Sequence, residues 1–344
     1  MTQVFVTRRI PDAGLRVLEG RATVAIGQTD EECALDRSVL LRGVREADVL
    51  LSLLTEQVDR DLLEANPGLL GVANHAVGFD NVDVAAATEL GIPVSNTPGV
   101  LTEATADLTW ALLLAVARRI VESDEYVRKG RFNIWSPNLL LGADVGTGPV
   151  GLKKVLGIVG FGRIGQAVAR RATGFDMEVL AHDPSHRDRV EAFPGVRWSD
   201  LDGLLATADF VCLHPRSSPA TWHLIDEARL GRMKPTAYLV NVSRGEVVDE
   251  AALVRALREG WIAGAALDVY EDEPGLAPGL ADLPNVVLVP HIGSASKDTR
   301  DRMAVLAATN ALRHLLGERA PHCVNPRVYE TEAWRQRTGR ARAP

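Results

Sequence analysis

The sequence predicts an α/β protein of two doubly wound parallel-sheet domains with a cleft between them. Three observations lead there. The chain has 344 residues, more than one hydrophobic core usually organises, so two domains are expected. Across the first hundred residues, short apolar or β-branched runs alternate with helix-like stretches, the pattern of a parallel sheet covered on both faces. The same alternation begins afresh near Lys153.

In order, the first alternation gives strands at Val4–Thr7, Thr23–Ile26, Val49–Leu53, Leu69–Ala73 and Ile92–Ser95, with helices at Gly14–Glu19, Arg37–Ala47, Asp59–Ala65 and Val82–Leu90. One long helix is expected from Glu103 to about Lys129, with Thr102 as its N-cap. A Gly- and Pro-bearing stretch from Gly130 to Gly151 holds Phe132 and Trp135; a loop that long in a compact protein is usually functional or an interaction arm. The second alternation gives strands at Val155–Val159, Glu178–His182, Phe210–His214, Ala237–Val242, Gly264–Val269 and Val286–Pro290. A final helix, about Ser296 to Leu316, is expected to return to the first domain. The tail beyond it, with Arg335, Arg337, Arg340 and Arg342, reads as unstructured. The domains are therefore set at 1–102 with 297–327, and at 103–296, followed by a flexible tail at 328–344.

Composition removes several classes of function. Apolar residues make up 46% and charged residues 24%, which argues against disorder. The net charge of −7 argues against a general nucleic-acid or membrane-surface binder. Cys33, Cys212 and Cys323 are scattered and odd in number, as suits a reducing compartment. The start Met-Thr-Gln-Val-Phe-Val lacks signal-peptide character, and Leu108 to Ala117 is too short to span a bilayer. A soluble, cytoplasmic protein is expected, with no metal site.

The strongest motif is Gly160-Phe161-Gly162-Arg163-Ile164-Gly165. It follows the strand ending at Val159 and opens a helix pattern, the context a dinucleotide fingerprint requires. The first glycine permits the tight turn, the second lets backbone approach a pyrophosphate at the helix N-terminus, and the third lets helix and strand pack closely. Asp183 ends the next strand, about 20 residues downstream, where a carboxylate accepts both ribose hydroxyls and repels a 2′-phosphate. NAD is therefore favoured, although the nearby Arg187 keeps NADP as the alternative.

Ligands of open parallel sheets bind beyond the carboxyl ends of the strands. Three separate strands deliver ionisable residues there: Arg244, Glu273 and His291. This set suits reversible hydride transfer to a ketone. The imidazole donates a proton to the developing alkoxide, the carboxylate stabilises the imidazolium, and the arginine binds an oxo-acid carboxylate and polarises the carbonyl.

These residues, with Ala73 to Asp83, Asn96 to Asp107, Met233 to Asp249, Gly260 to Pro274 and Pro290 to Ala295, resemble the D-isomer-specific 2-hydroxyacid dehydrogenases, most of all the glyoxylate/hydroxypyruvate reductases. The resemblance runs in order through nearly all of residues 1–327. It implies a flavodoxin-like substrate domain and a Rossmann NAD-binding domain, with Arg244, Glu273 and His291 as the catalytic set. It implies substrate-carboxylate binding by the Val77 and Gly78 amides, and Asp268 on the nicotinamide carboxamide. Thr105 is implied near the phosphates and Pro215 beside the adenine. Val242, Ser243 and Gly293 are counted with the cofactor residues. A homodimer is implied, joined through the coenzyme domain with 130–151 as a dimerisation loop, and Trp135 is similar to a tryptophan that reaches the partner's active site. His75 stands where the subfamily often has tyrosine and reads as a tolerated polar replacement; His214-Pro215-Arg216 places a cation where an apolar residue is common. The expected activity is NAD(P)H-dependent reduction of glyoxylate to glycolate and of hydroxypyruvate to D-glycerate. A D-lactate, 2-ketogluconate or 3-phosphoglycerate dehydrogenase is the nearest alternative, and an NAD-sensing corepressor-like protein a remoter one.

Overall fold

The computed structural model describes residues 2–30, 32–148 and 151–341. In chain order the elements are β1 (Gln3–Val6), α1 (Asp12–Leu18), β2 (Thr23–Ile26), α2 (Arg37–Glu46), β3 (Val49–Ser52), α3 (Arg60–Glu64), β4 (Gly71–Asn74), α4 (Val84–Glu89) and β5 (Val94–Ser95). Then come α5 (Thr102–Ala117), α6 (Ile120–Arg128), β6 (Val155–Val159), α7 (Arg163–Ala172), β7 (Glu178–His182), α8 (Arg187–Glu191), β8 (Val196–Trp198), α9 (Leu201–Thr207) and β9 (Phe210–Leu213). The chain continues through α10 (Glu227–Leu230), β10 (Tyr238–Asn241), α11 (Glu250–Glu259), β11 (Gly264–Leu267), β12 (Val286–Leu288), α12 (Lys297–Leu315) and α13 (Glu332–Ala341). Two units form: Met1–Leu101 with Ala295–Pro344, and Thr102–Ser294.

The first unit is a five-stranded parallel sheet in the order β2-β1-β3-β4-β5, the flavodoxin-like winding. Apart from the edge strand β2, its strands are buried on both faces, which is why they read as unbroken apolar runs. One face packs Phe5, Leu50 and Val72 with Val44, Leu62 and Leu63. On the other, Val4, Val6, Val49 and Leu51 meet Ala304, Ala307, Ala308 and Ala311 of α12, so the last long helix belongs to this unit. Alanines at the contact let α12 lie close to the sheet.

The tail departs from expectation. Residues 326–330 form a 3-10 turn and Glu332–Ala341 form α13; residues 342–344 lie outside the described residues. The Arg337 guanidinium donates to the carbonyls of Leu90, Pro67 and Leu69, and Trp334 packs edge-on against Tyr329. The segment expected to be unstructured instead folds and bonds backbone carbonyls of its own unit.

The second unit is a seven-stranded parallel sheet in the order β12-β11-β10-β9-β6-β7-β8. The winding reverses between β6 and β9, which makes that edge the topological switch point. The helix expected from Glu103 to Lys129 is broken: α5 stops at Ala117, Arg119 takes a left-handed conformation (φ 53°), and α6 starts at Ile120. The break lets the chain return, with the Ala143 N–H donating to the Ala117 carbonyl at 2.8 Å. No glycine or proline marks it in the sequence. Among the described residues, no helix is long and apolar enough to cross a membrane.

Candidate active site

The loop after β6 sits at the switch point. Gly160 has φ +89°, and a Cβ there would meet the His214–Pro215 backbone at 2.6 Å, so the loops after β6 and β9 touch where only glycine fits. A Cβ on Gly165 would stand 2.3 Å from the Gly160 carbonyl, which holds α7 against its strand. A Cβ on Gly162 would meet nothing within 4 Å. Aspartate side chains cap α2, α3, α4, α9, α10 and α11, whereas α7 is entered from Gly162 with no capping side chain. Backbone donors and the positive end of the helix thus face open space, the cradle a pyrophosphate requires. Asp183 follows β7; its Oδ2 accepts the Phe161 N–H at 3.0 Å and its Oδ1 the Ser185 N–H at 3.1 Å, which fixes the carboxylate beside that loop. Arg187 lies over the Trp198 ring at 4.2 Å and pairs with Glu191 at 2.7 Å.

Because every strand of this sheet is parallel, β10, β11 and β12 end on the same edge. The Glu273 Oε2 lies 2.9 Å from the His291 Nδ1, and its Oε1 accepts the Tyr270 N–H at 3.1 Å. The two side chains keep 28% and 31% of their surface for His291 and Glu273, so the pair is neither sealed nor fully solvated. Burial alone would raise the Glu273 carboxyl. The hydrogen bond and charge of His291, the Tyr270 N–H and the Arg244 charge outweigh it and hold the group below the ordinary value. Arg244 follows β10; its Nη1 donates to the Ser243 carbonyl at 2.8 Å, and the Asn241 amide ties the turn by donating to the Arg244 carbonyl at 2.9 Å.

His291 has φ 52°, a left-handed conformation that costs a non-glycine residue about 1 kcal/mol or more. Asp268 offsets the cost. Its carboxylate accepts the N–H groups of Ile292 at 2.6 Å and Gly293 at 2.8 Å, and its carbonyl accepts the His291 N–H. Burial pushes the Asp268 carboxyl up to about 6, with Glu273 adding to the rise and the two N–H groups and the His291 charge opposing it. The Thr105 hydroxyl, expected near cofactor phosphates, donates to the Gly293 carbonyl at 3.1 Å and so braces the same turn.

In the first unit, the N–H groups of Val77 and Gly78 make no hydrogen bond among the described residues, while their carbonyls accept from Asn96 and Asn74. Two donors held this way suit a carboxylate. His75 is buried there, and its ring is pushed down to about 4 by burial and the Arg300 charge, so it is neutral at pH 7. Trp135 is 74% exposed in the second unit, beside exposed Phe132, Ile134 and Leu141. Pro149 and Val150 of the expected dimerisation loop lie outside the described residues. Among the described residues, no three His, Cys, Asp or Glu side chains group as metal ligands.

The profile of the D-isomer specific 2-hydroxyacid dehydrogenase NAD binding domain matches residues 110–293. A glyoxylate reductase of Thermococcus onnurineus is 47% identical over 330 residues, covering 95% of this chain and 96% of the relative. The chain belongs to the D-2-hydroxyacid dehydrogenases. The glyoxylate reductase of Korarchaeum cryptofilum is 49% identical over 95% of this chain and 96% of its own. A crystal structure of a protein from Thermus thermophilus superposes with a TM-score of 0.85 at 44% identity, covering 94% of this chain and all of the other. The NADPH-dependent glyoxylate/hydroxypyruvate reductase of Sinorhizobium meliloti, solved with NADP and malonate, gives 0.79 at 31% identity, covering 94% of this chain and 98% of the other. As a D-2-hydroxyacid dehydrogenase the protein is an oxidoreductase with a nicotinamide dinucleotide cofactor. The open Gly162 cradle, the uncapped α7 and the anchored Asp183 fit that group.

Three residues at this edge escaped the sequence reading. Asn241 and Tyr270 stand as ordinary strand-end residues in the sequence, and the Glu271 carboxylate looked like one more solvated acid; only the fold turns them inward.

Proposed function

We propose that this D-2-hydroxyacid dehydrogenase reduces glyoxylate to glycolate and hydroxypyruvate to D-glycerate, with NADH as the preferred donor. The reading rests on the 2.9 Å contact of Glu273 with His291 on the sheet edge that also carries Arg244 and the glycine loop. When bound, NADH supplies the hydride for the carbonyl carbon. His291, protonated, gives its proton to the oxygen as charge develops there. Glu273 accepts from Nδ1, so Nε2 is the nitrogen left to face substrate, and the carboxylate favours the cationic ring. Arg244 binds the oxo acid and polarises its carbonyl. The named glyoxylate reductases among the relatives support the substrate class.

NADH is favoured because Asp183 places a carboxylate where a 2′-phosphate would have to sit. The nearby cation that could compensate, Arg187, is engaged by Trp198 and Glu191. A homodimer is proposed from the exposed apolar side chains of Ile120, Val121 and Val127 on α6 together with Phe132, Ile134, Trp135 and Leu141.

Steady-state rates with glyoxylate, hydroxypyruvate, pyruvate and 2-ketogluconate, each with NADH and NADPH, test the reading. The highest kcat/KM is expected for glyoxylate or hydroxypyruvate with NADH. Faster turnover of pyruvate or 2-ketogluconate overturns the substrate assignment, and a preference for NADPH overturns the cofactor assignment.

A further inference from the structure

Three backbone segments stack behind the turns that carry Arg244 and Glu273. Residues 222–225 lie beside 246–249: the N–H groups of His223 and Ile225 donate to the carbonyls of Glu246 and Val247, and that of Asp249 donates back to Ile225. Residues 244–246 press on 270–271 so closely that a Cβ on Gly245 would stand 1.8 Å from the Tyr270 carbonyl carbon. Across this stack runs the ring of His223. Its Nε2 lies 2.7 Å from the Glu271 Oε1 and its Nδ1 faces the Asp249 Oδ2 at 4.0 Å. Trp222 stacks on the ring at 4.7 Å, and His223 is held in a left-handed conformation at φ 45°.

On the far side of Glu271, the carboxylate of buried Glu250 accepts the N–H groups of Glu271 at 2.8 Å and Ala277 at 3.1 Å. Glu250, at the start of α11, thus ties the backbone of the turn two residues before Glu273, and its own N–H points back to the Glu271 carboxylate at 3.4 Å. On its other oxygen the Glu271 carboxylate is met by the His223 ring.

We propose that His223 is a positioning residue for the reduction: by bonding Glu271 through Nε2 it holds the Glu273 turn against the Arg244 turn. The proposal rests on the reading of Arg244 and Glu273 given above. His223 touches neither substrate nor cofactor in this role; it acts through Glu273. A strained backbone, a stacked ring and a carboxylate bonded to Nε2 specify the ring's place more tightly than packing alone requires. A displacement of the Glu273 carboxylate by an ångström or less would loosen its contact with His291 and lower the rate of proton donation.

The test is a double-mutant cycle measured as kcat, KM and NADH affinity with glyoxylate as substrate. His223→Ala should lower kcat about tenfold while the Kd for NADH, read by fluorescence titration, stays within twofold. His223→Gln, which keeps one donor toward Glu271, should recover part of that loss, and it serves if the alanine variant does not fold. Because His223 acts through Glu273, adding His223→Ala to Glu273→Gln should cost less than twofold further. Wild-type kcat in both His223 variants overturns the inference, as does a full additive loss in the Glu273→Gln background. The two readings fail separately: native kinetics in Glu273→Gln would remove Glu273 from the chemistry, whereas a slow Glu273→Gln beside a fast His223→Ala would remove only His223.

Discussion

Replacing Glu273 by glutamine changes the least structure and the most chemistry. The carboxylate serves two partners, the His291 ring on Oε2 at 2.9 Å and the Tyr270 N–H on Oε1 at 3.1 Å. Glutamine keeps the shape but has one acceptor, so either the ring or the amide now faces an NH2 group. Two unit charges about 4 Å apart attract by about 4 kcal/mol at an effective dielectric of about 20. Roughly a third of each side chain is in contact with water, which discounts this toward the range of a charge-assisted hydrogen bond, about 2 kcal/mol. That corresponds to a kcat for reduction lowered about 30-fold. The assay is kcat against pH in both directions, with NADH affinity as the control. A variant within twofold of wild type at every pH would refute the assignment of Glu273 as the partner of the general acid.

His291→Ala should lower kcat by about 10² to 10⁴ with NADH affinity nearly intact, and undiminished turnover in stopped-flow reduction would contradict the role given to the ring. Asp268→Asn leaves either Ile292 or Gly293 donating toward an amide NH2; a loss of about 1–3 kcal/mol in stability, seen as a lower Tm, and a fall in kcat are expected, and an unchanged kcat would show that the His291 turn holds without that carboxylate. Ile134→Ser with Trp135→Ser should shift the protein from dimer toward monomer in light scattering, and a monomeric wild type would sink the interface. Burial holds His75, His214 and His314 far below the histidine value of 6.5, at about 4, 3 and 4, with the Arg300 charge adding to the shift at His75. An unfolded chain therefore binds more protons below pH 6.5, so stability is full above that pH and falls as pH drops toward 4, on the order of 3 kcal/mol per ring. A His314→Gln variant should lose less Tm than wild type between pH 7 and 4.5, and equal losses would argue against the buried ring as a source.

Strands of both sheets were legible because short apolar and β-branched runs leave a simple signal: Thr23–Ile26, Val155–Val159 and Glu178–His182 are the strands the sequence reading gives, to the residue. The break at Arg119 was not, since its cause is tertiary: Ala143 returns to the end of α5, and nothing in Ala117-Arg118-Arg119-Ile120 disfavours helix locally. The docking of α13 was hidden for a similar reason. Its arginines look solvated until the carbonyls of Pro67, Leu69 and Leu90 are brought beside Arg337. That Glu273 and His291 lie at one sheet edge was legible because the rule for strand ends in parallel sheets is topological. Asn241, Tyr270 and His223 act on backbone and on other side chains, and contacts of that kind leave no spacing to read.

Two carboxylates stand near one imidazole in different environments, and position alone sets them apart. Glu273 is reached by the ring, a backbone N–H and the charge of Arg244, all of which favour its anion. Asp268 lies deeper, where burial favours its neutral form strongly enough to push it up to about 6 despite two N–H donors. Environments that drive two acids apart in this way assign them different work. In the proposed mechanism Glu273 partners the ring that moves the proton. The other fixes the backbone on which that ring stands, by bonding Ile292 and Gly293 and holding His291 in its left-handed turn. Exchanging the two burials would leave the ring without an anionic partner while every residue type stayed the same, so the site depends on depth below the sheet edge as much as on residue identity.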